Sequence, residues 1–416
     1  MRIGVIGAGA AGLYATQLLL ERGHEVVLLE ARDQVGGRIT PLEGWADVPL
    51  EMGAEEIHGA DSPWARMLRQ AGAELFLPPG QDYIWYANQL WPEDDAPQAV
   101  QDALDFVATA VTWAGPPLTV TELPGYTGLQ PDTTAIVNAR LGNLYGTSDR
   151  YLCAAGIAEQ ELHWKSGPED LRLRTGSLLD WLKIICHEAV AIARCGRPVI
   201  HVKILADGVT LTDATGEHHT ADAAICTVPL PVLRQGLITF DPVLPPAHQA
   251  AIKMIGMGPG LKVQLRFTDR FWPADMTYLI GGQYIPEFWD ATRGRGNTPV
   301  LTGFVMGDAA YQLGPHEPTV IRRALEDLDR MFGGIASASC TGAQVQDWSR
   351  APWTGGAYSY PVAGGGLDAR RALAGPVGGR LYWAGEATSE GHQATVHGAI
   401  ETALRAVDQV LRRTTP

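Results

Sequence analysis

The N-terminal segment alternates between short apolar runs and one helical stretch. Arg2 to Ile6 is an apolar run long enough for one buried parallel strand, and Glu25 to Leu29 is a second. Between them, apolar residues recur at helical spacing from Leu13 to Arg22, and Gly23 ends that stretch. The pattern therefore predicts a strand, a helix and a second parallel strand, in that order.

Further along the chain, the pattern predicts a mixture of helices and hairpins. Ser62 followed by Pro63 is typical of a helix start. Asp207-Gly208 separates two alternating runs, as a hairpin turn does. The expected helices are 96–114, 133–144, 148–163, 178–193, 317–332 and a final helix opened by 387–399, and the expected strands and hairpins are 74–91, 197–202 with 209–212, 223–228, 258–267, 300–306 and 380–386.

The alternating stretch 258–267 has a different residue type on each face. Lys262, Gln264 and Arg266 share one face, while leucine, valine and phenylalanine side chains share the other. Periodicity alone predicts a half-buried strand with its charged face in solvent.

A glycine pattern joins the first strand to the first helix. Gly7, Gly9 and Gly12 form G-x-G-x-x-G, which permits a tight turn, the approach of a pyrophosphate and close helix–strand packing. The helix N-terminus, with Ala10 and Ala11, offers N–H groups and a positive dipole end to phosphates. Glu30, eighteen residues after Gly12, can accept ribose hydroxyl hydrogen bonds and disfavours a 2′-phosphate. This order of elements predicts dinucleotide binding rather than a plain glycine-rich turn.

Composition limits the class of protein. The 416 residues suggest two or three domains, and 19% charged with 46% hydrophobic residues is typical of a globular enzyme. The net charge of -14 disfavours nucleic acid as a partner and is compatible with a cationic ligand, although an acid surplus that serves only solubility explains it equally well. The five cysteines are scattered, so we expect free thiols and no metal site. We expect a cytoplasmic protein without a signal peptide or membrane segment.

Several further motifs follow the glycine pattern along the chain and reach the C-terminal region. They are Gly36-Gly37-Arg38, the stretch 50–59 (LEMGAEEIHG), the strand with Lys262, the run 348–359 (WSRAPWTGGAYS) and the stretch 380–399. Together they resemble the motifs of the flavin-containing amine oxidases, a family that includes monoamine oxidases, polyamine oxidases and histone-demethylase-like members.

The resemblance implies FAD as the cofactor and assigns residues to its parts. Besides the glycine loop and Glu30, it implies contacts with the second pyrophosphate side, the flavin ring, the adenine and the ribityl and pyrimidine regions. These residues are Ala31, Arg32, Gly36, Gly37, Arg38, Met52, Gly53, Ala54, Glu55, Val199, Trp348, Tyr358, Gly385, Glu386, Thr395 and Val396.

The same resemblance implies a reaction site of Lys262, Tyr358, Trp348, Thr395, His58 and Glu55. Ala357 stands where covalent-flavin members carry cysteine, so the FAD is expected to be non-covalent. Thr395 stands where many members have an aromatic residue, which implies a wider site. Glu55, Glu56 and His58 replace the arginine of amino-acid oxidases and favour a cationic amine; solvated glutamates and a packed histidine are the alternative.

The implied fold is α/β: a doubly wound, Rossmann-like FAD-binding domain assembled from 1–75, 195–250 and 375–416, with a substrate domain of mixed sheet and helices from 76–194 and 251–374. The implied reaction is oxidation of a primary or secondary amine, polyamine or monoamine, to an imine or aldehyde, with oxygen reduced to hydrogen peroxide, by a monomer or homodimer. An L-amino-acid oxidase, an FAD-dependent desaturase or dehydrogenase, and a flavoprotein kept for binding remain alternatives.

Overall fold

A four-stranded parallel sheet is built from distant parts of the chain. The computed structural model describes residues 1–412. The strands lie in the spatial order Glu25–Leu29, Arg2–Ile6, Ala223–Cys226 and Leu381–Trp383. The helix Ala10–Glu21 joins the first two strands of the sequence, as predicted. The discontinuous Rossmann-like assembly is therefore confirmed.

The two faces of the parallel sheet are covered by different structures. Ile3 and Val5 pack with the helix Ala10–Glu21 and the final helix Val396–Arg412. Ile6, on the opposite face, packs with Leu211 of a second, four-stranded sheet. A Cβ atom on Gly4 would lie 2.7 Å from the Leu211 Cδ1 atom, so this glycine allows the two sheets to approach. The second sheet consists of His218–Ala221, Val209–Asp213, Val199–Ile204 and Thr239–Asp241.

A seven-stranded sheet forms the other large layer of the fold. Its strands, in spatial order, are Cys340–Asp347, Gly260–Phe267, Val300–Met306, Glu287–Asp290, Met276–Ile280, Gln81–Tyr86 and Gln89–Pro92. The strand Gly260–Phe267 is buried on both faces rather than half-buried: Lys262 is 4% and Gln264 0% exposed. The reason is that the Lys262 face packs against the segment around Glu51, whose carbonyl accepts hydrogen bonds from Lys262 and Gln264.

The remaining elements are short strands and helices around these sheets. The strands are Ile57–His58, Asp170–Leu173 and Leu75–Phe76 in one sheet, Ile255–Met257 with Ser359–Pro361, and Pro41–Leu42 with Leu50–Glu51. The helices are Pro63–Gln70, Gln98–Val111, Thr134–Asn138, Ala154–His163, Leu178–Ile185, His187–Ile192, Leu230–Arg234, Pro246–Met254, Gly307–Leu313, Glu317–Phe332, Ile335–Ser339 and Leu367–Ala374. Within residues 1–412, no helix combines the length and the hydropathy needed to cross a bilayer.

Several predicted helix boundaries were wrong. The stretch expected as one helix over 133–144 is helical from Thr134 to Asn143, but Ala139–Asn143 is a π-helical turn, in which the Gly142 N–H donates to Asp149. Two other helices differ in their ends. The helix expected over 148–163 begins only at Ala154, and the one over 178–193 breaks at Cys186. The final helix begins at Val396, where the Thr395 hydroxyl accepts the Gly398 N–H and caps it.

The domain boundaries remain a prediction, and packing suggests one change to them. Leu178, Leu182 and Ala189 pack in the same core as the helix Ala10–Glu21 and the parallel sheet. We therefore propose that residues from about 178 belong with the FAD-binding part, rather than those from 195. All five cysteines are free thiols, with Cys195 and Cys340 only half-buried.

Candidate functional site

One cavity of about 640 Å³ extends from the N-terminal glycine loop to the strand that carries Lys262. Its wall contains most of the residues singled out from the sequence. They are Gly7, Gly9, Ala10, Ala11, Glu30, Ala31, Arg32, Gly36, Gly37, Arg38, Gly53, Ala54, Glu55, His58, Val199, Lys262, Trp348, Tyr358, Gly385, Glu386, Thr395 and Val396. Gly12 and Met52 lie behind the wall: Gly12 packs on Gly7, and the Met52 carbonyl accepts the Trp348 indole N–H at 2.9 Å.

The glycine loop at one end of the cavity is tightly packed. Gly7 has a φ of +99°, and a Cβ atom on Gly12 would lie 1.8 Å from the Gly7 carbonyl oxygen. The second glycine pair docks on this loop, because the Gly36 N–H donates to the Ala8 carbonyl at 2.8 Å. The first-turn N–H groups of the helix Ala10–Glu21 have no intrahelical acceptors and face this end. The arrangement is suited to binding phosphate.

The Glu30 side chain forms hydrogen bonds with the backbone of the glycine loop and of the residues after the second strand. Its carboxylate accepts the Ala8 N–H at 2.6 Å and the Arg32 N–H at 2.9 Å. A carboxylate has about four acceptor positions, so two remain for a ligand hydroxyl. Because Glu30 also lines the cavity, its structural role and the predicted ribose contact are compatible.

Glu386 joins the N-terminal and C-terminal motifs. It forms an ion pair with Arg38 at 3.0 Å and accepts the Ser359 hydroxyl at 2.6 Å and the Ala394 N–H at 2.9 Å. Burial raises the pKa of Glu386, but Arg38, Ser359 and the nearby Arg370 outweigh it, and the pKa lies below its ordinary value. Glu386 is therefore ionised and holds the wall of the cavity together.

Lys262 forms a buried ion pair with Glu55. The Lys262 Nζ atom lies 2.8 Å from Glu55 Oε2, and Glu55 Oε1 accepts the Trp289 indole N–H at 2.9 Å. Arg172 adds a second cation at 3.8 Å. Burial raises the pKa of Glu55, but the charges of Lys262 and Arg172 outweigh it and lower the pKa. The alternative of a solvated Glu55 is wrong, since the residue is 8% exposed.

Trp348 and Tyr358 form an aromatic part of the wall. A Cβ atom on Gly53 would lie 1.9 Å from the Arg38 carbonyl and 2.9 Å from the Trp348 ring, so Gly53 allows this packing. The Tyr358 hydroxyl donates to the Leu144 carbonyl at 2.8 Å. Burial raises the pKa of Tyr358 well above its ordinary range, so it stays neutral.

Sequence reasoning missed a row of side chains next to Lys262. Lys262 and Glu287 are each the direct cross-strand partner of Phe304, so these three residues share one face of the seven-stranded sheet. Glu287 lines the cavity, and burial raises its pKa to about 8. Its Oε2 atom accepts a weak hydrogen bond from Asn143 at 3.5 Å. The β pairing that brings Glu287 to Lys262 has no signature in the sequence.

Other acids line the same cavity. Glu56 accepts the Tyr278 hydroxyl and lies 3.5 Å from Arg172. His58 is half-buried and contacts Asp170, with 2.6 Å between its Nδ1 atom and a carboxylate oxygen. Glu161, which also lines the cavity, accepts the Tyr145 hydroxyl at 3.0 Å. The lining of the cavity is thus rich in carboxylates.

Comparisons with known proteins agree with this arrangement. A family model described as flavin containing amine oxidoreductase matches residues 10–122 and 193–411. Over 98% of its length, the chain is 28% identical to lysine-specific histone demethylase 1 homolog 3 of Arabidopsis thaliana, of which it spans only 30%. It is 27% identical to polyamine oxidase 4 of Oryza sativa subsp. japonica, again over 98% of the chain, and spans 88% of that protein.

Solved structures share the whole fold. A cyclohexylamine oxidase from Brevibacterium oxydans superimposes with a TM-score of 0.83 at 22% identity, covering 99% of this chain and 98% of the other. A putrescine oxidase with bound putrescine gives a TM-score of 0.80 at 20% identity, covering 99% of each chain. At these identities the likeness establishes the architecture.

Proposed function

The chain belongs to the flavin-containing amine oxidoreductase family, and we propose from this premise that it oxidises a small di- or polyamine to an imine, with oxygen as the electron acceptor. The chain is an FAD-dependent amine oxidase; the identity of the amine and of the acceptor is the proposed part. The hydrolysed product is an aldehyde, and the reduced oxygen leaves as hydrogen peroxide. The observation that carries the proposal is the buried carboxyl of Glu287, which shares a face of the seven-stranded sheet with Lys262, with Phe304 between them.

The residues present fit FAD. The glycine loop, the adjoining helix N-terminus and Glu30 suit a dinucleotide phosphate and ribose, and Val199 and Ile238 offer an apolar wall to an adenine. Ala357 leaves no thiol for a covalent bond, which supports non-covalent binding. When bound, FAD supplies the two-electron redox chemistry, and the protein supplies binding, orientation and electrostatics.

The side chains of this chain have separate tasks in the proposal. Trp348 and Tyr358 are held by hydrogen bonds to backbone carbonyls and bound the space in which an amine lies. Phe304 and Trp289 exclude water from that space. Lys262 places a positive charge there, and its ion pair with Glu55 fixes the ammonium group. The dry site strengthens each of these interactions.

Glu287 is the residue proposed to select a second ammonium group. Burial keeps its carboxyl largely protonated at neutral pH, because its pKa is raised to about 8. A cation within reach lowers that pKa and favours the carboxylate. A diamine thus gains an ion pair that a monoamine lacks, whereas an amino acid brings a carboxylate next to several acids.

We expect Glu287→Gln to lower kcat/KM for putrescine and spermidine by about tenfold, since one charge-assisted contact is lost. The kcat/KM for benzylamine should stay within about twofold of its original value. A peroxide-coupled assay over polyamines, aromatic monoamines, N-methylated amines and amino acids measures both. Glu326→Gln, which changes an exposed acid in the helix Glu317–Phe332, is the matched control and should change neither.

Two outcomes would contradict the proposed substrate class. An equal loss of kcat/KM for diamines and benzylamine in Glu287→Gln would show that Glu287 does not bind a second ammonium group. Oxidation confined to amino acids in the original enzyme would favour an amino-acid oxidase of the same superfamily.

A further inference from the structure

His58 and Asp170 face each other directly across two short strands. The strand Ile57–His58 pairs antiparallel with Asp170–Leu173, and His58 is the cross-strand partner of Asp170. The His58 Nδ1 atom lies 2.6 Å from the Asp170 carboxylate. Both residues line the cavity, and both side chains are partly exposed to it. The backbone register of the two strands thus places the His58 and Asp170 side chains next to each other.

This pair lies close to the reaction end of the cavity. Glu55, which binds Lys262, precedes His58 by three residues. Three residues span at most about 10 Å even when fully extended, so the Cα atoms of His58 and Glu55 lie within that distance of each other. Glu56, which groups with His58 and Asp170, lies 3.5 Å from Arg172, the second cation beside Glu55. The carboxylate of Asp170 fixes the neutral ring with its proton on Nδ1 and its lone pair on Nε2.

We propose that His58 accepts a proton from the ammonium group of the arriving amine, and that Asp170 is the positioning residue that orients and strengthens this base. The inference rests on the proposed amine substrate. In the step, an N–H bond of the ammonium breaks and an Nε2–H bond forms, and the electron pair stays on the amine nitrogen. The products are a neutral amine, which is the form that can be oxidised, and an imidazolium stabilised by Asp170.

The charges around His58 favour this role. Burial lowers the pKa of His58, but the hydrogen bond and charge of Asp170, with the charge of Glu56, outweigh it and raise the pKa. Polar atoms of Glu56, His58 and Asp170 lie within 4.8 Å of one another. Arg172 is the cation near Asp170 and contributes to the lowered pKa of that acid.

Two more imidazoles lie in these surroundings, His397 in the final helix and His392 in the segment before it. The Trp164 ring packs edge-on with the rings of His58, His392 and His397, at centroid distances of 6.4, 5.0 and 5.3 Å. Burial lowers the pKa of His397 to about 2, so His397 stays neutral. The His392 Nδ1 atom lies 2.7 Å from the Glu401 carboxylate. Asp170 is therefore the direct anionic partner of His58.

The test combines a titration of the imidazole with a pH profile. In the FAD-bound enzyme, NMR of labelled histidines should give His58 a pKa above its ordinary value of about 6.5, with His58→Asn used to assign the signal. Asp170→Asn should lower that pKa by about 1–2 units. The acid limb of kcat/KM for putrescine should move to lower pH by the same amount, with a plateau about tenfold lower. Asp170→Glu keeps the negative charge, so its acid limb should lie close to that of the original enzyme rather than to that of Asp170→Asn.

Asp308→Asn is the matched control, because it removes a carboxylate that pairs with Arg150 at the surface. It should move neither the imidazole titration nor the pH profile. A His58 pKa at or below about 6.5 in the original enzyme, or an acid limb that stays in place in Asp170→Asn, overturns the proposal. Either result leaves the proposed function intact if putrescine still reduces the flavin, whereas failure of every amine to do so refutes that function separately.

Discussion

A Gly12→Ala variant should purify with little or no FAD. The new Cβ atom would lie 1.8 Å from the Gly7 carbonyl oxygen and 2.9 Å from its carbon. Both are backbone atoms, so the loop itself must move, and Gly7 already occupies a φ of +99° that few residues adopt. Hydrogen bonds to a charged phosphate are worth about 1.5–3 kcal/mol each, so losing one or two of them should weaken FAD binding by about 10²-fold. Flavin absorbance relative to protein absorbance, followed by titration with FAD, measures it.

Gly128→Ala is the matched control for this experiment. Gly128 closes the 3₁₀ turn Tyr126–Gly128, and a Cβ atom there meets no atom within 4 Å. This variant should retain FAD as the original enzyme does. Normal FAD content in Gly12→Ala would refute the phosphate-binding role of the glycine loop, because the loop could then shift without loss of the ligand.

A Lys262→Met variant should keep FAD and react with oxygen about 10²-fold more slowly, which is the usual effect of removing one stabilising charge or donor from a preorganised site. The resemblance to amine oxidases implies this role, and the buried position of Lys262 on the cavity wall supports it. Stopped-flow mixing of the reduced enzyme with oxygen measures the rate without involving the amine.

Because Lys262 forms a buried ion pair with Glu55, the Lys262→Met variant is also expected to lose stability. Without Lys262, Glu55 keeps the Trp289 indole and Arg172, which lies at 3.8 Å, as partners in a buried site. Breaking a buried pair from one side costs about 3–5 kcal/mol of stability. The double variant Glu55→Gln/Lys262→Met removes both charges and should recover most of that loss while staying slow towards oxygen. A double variant with normal oxygen kinetics would remove the role assigned to Lys262.

The part of the fold that sequence could predict depends on local patterns. The segment from Arg2 to Leu29 contains its strands, helix and glycines within one continuous stretch, so its structure and its place in a dinucleotide fold follow from the pattern. The strand Val300–Met306 and the helix Glu317–Phe332 were predicted with their observed ends for the same reason.

The parts that sequence could not predict depend on distant contacts. In the π-helical turn Ala139–Asn143 the Gly142 N–H donates to Asp149 outside the helix, and no periodicity shows this contact. Periodicity alone would put the face with Lys262 and Gln264 in solvent, and it does not show that the segment around Glu51 covers that face. Glu287 reaches the site only because its strand and the strand of Lys262 both pair with the strand of Phe304. Asp170 reaches His58 through a register of two short strands.

The most direct test of the whole account is an anaerobic titration of the purified, FAD-bound enzyme with spermidine and putrescine, followed by admission of oxygen. Our account holds that both ends of the chain bind one FAD beside a cavity for a cationic amine. It predicts that adding the amine without oxygen removes the absorbance of oxidised flavin, and that admitting oxygen restores it. One hydrogen peroxide should form for each flavin that is reoxidised. A protein that takes up no FAD, or whose flavin spectrum no amine alters, would contradict it.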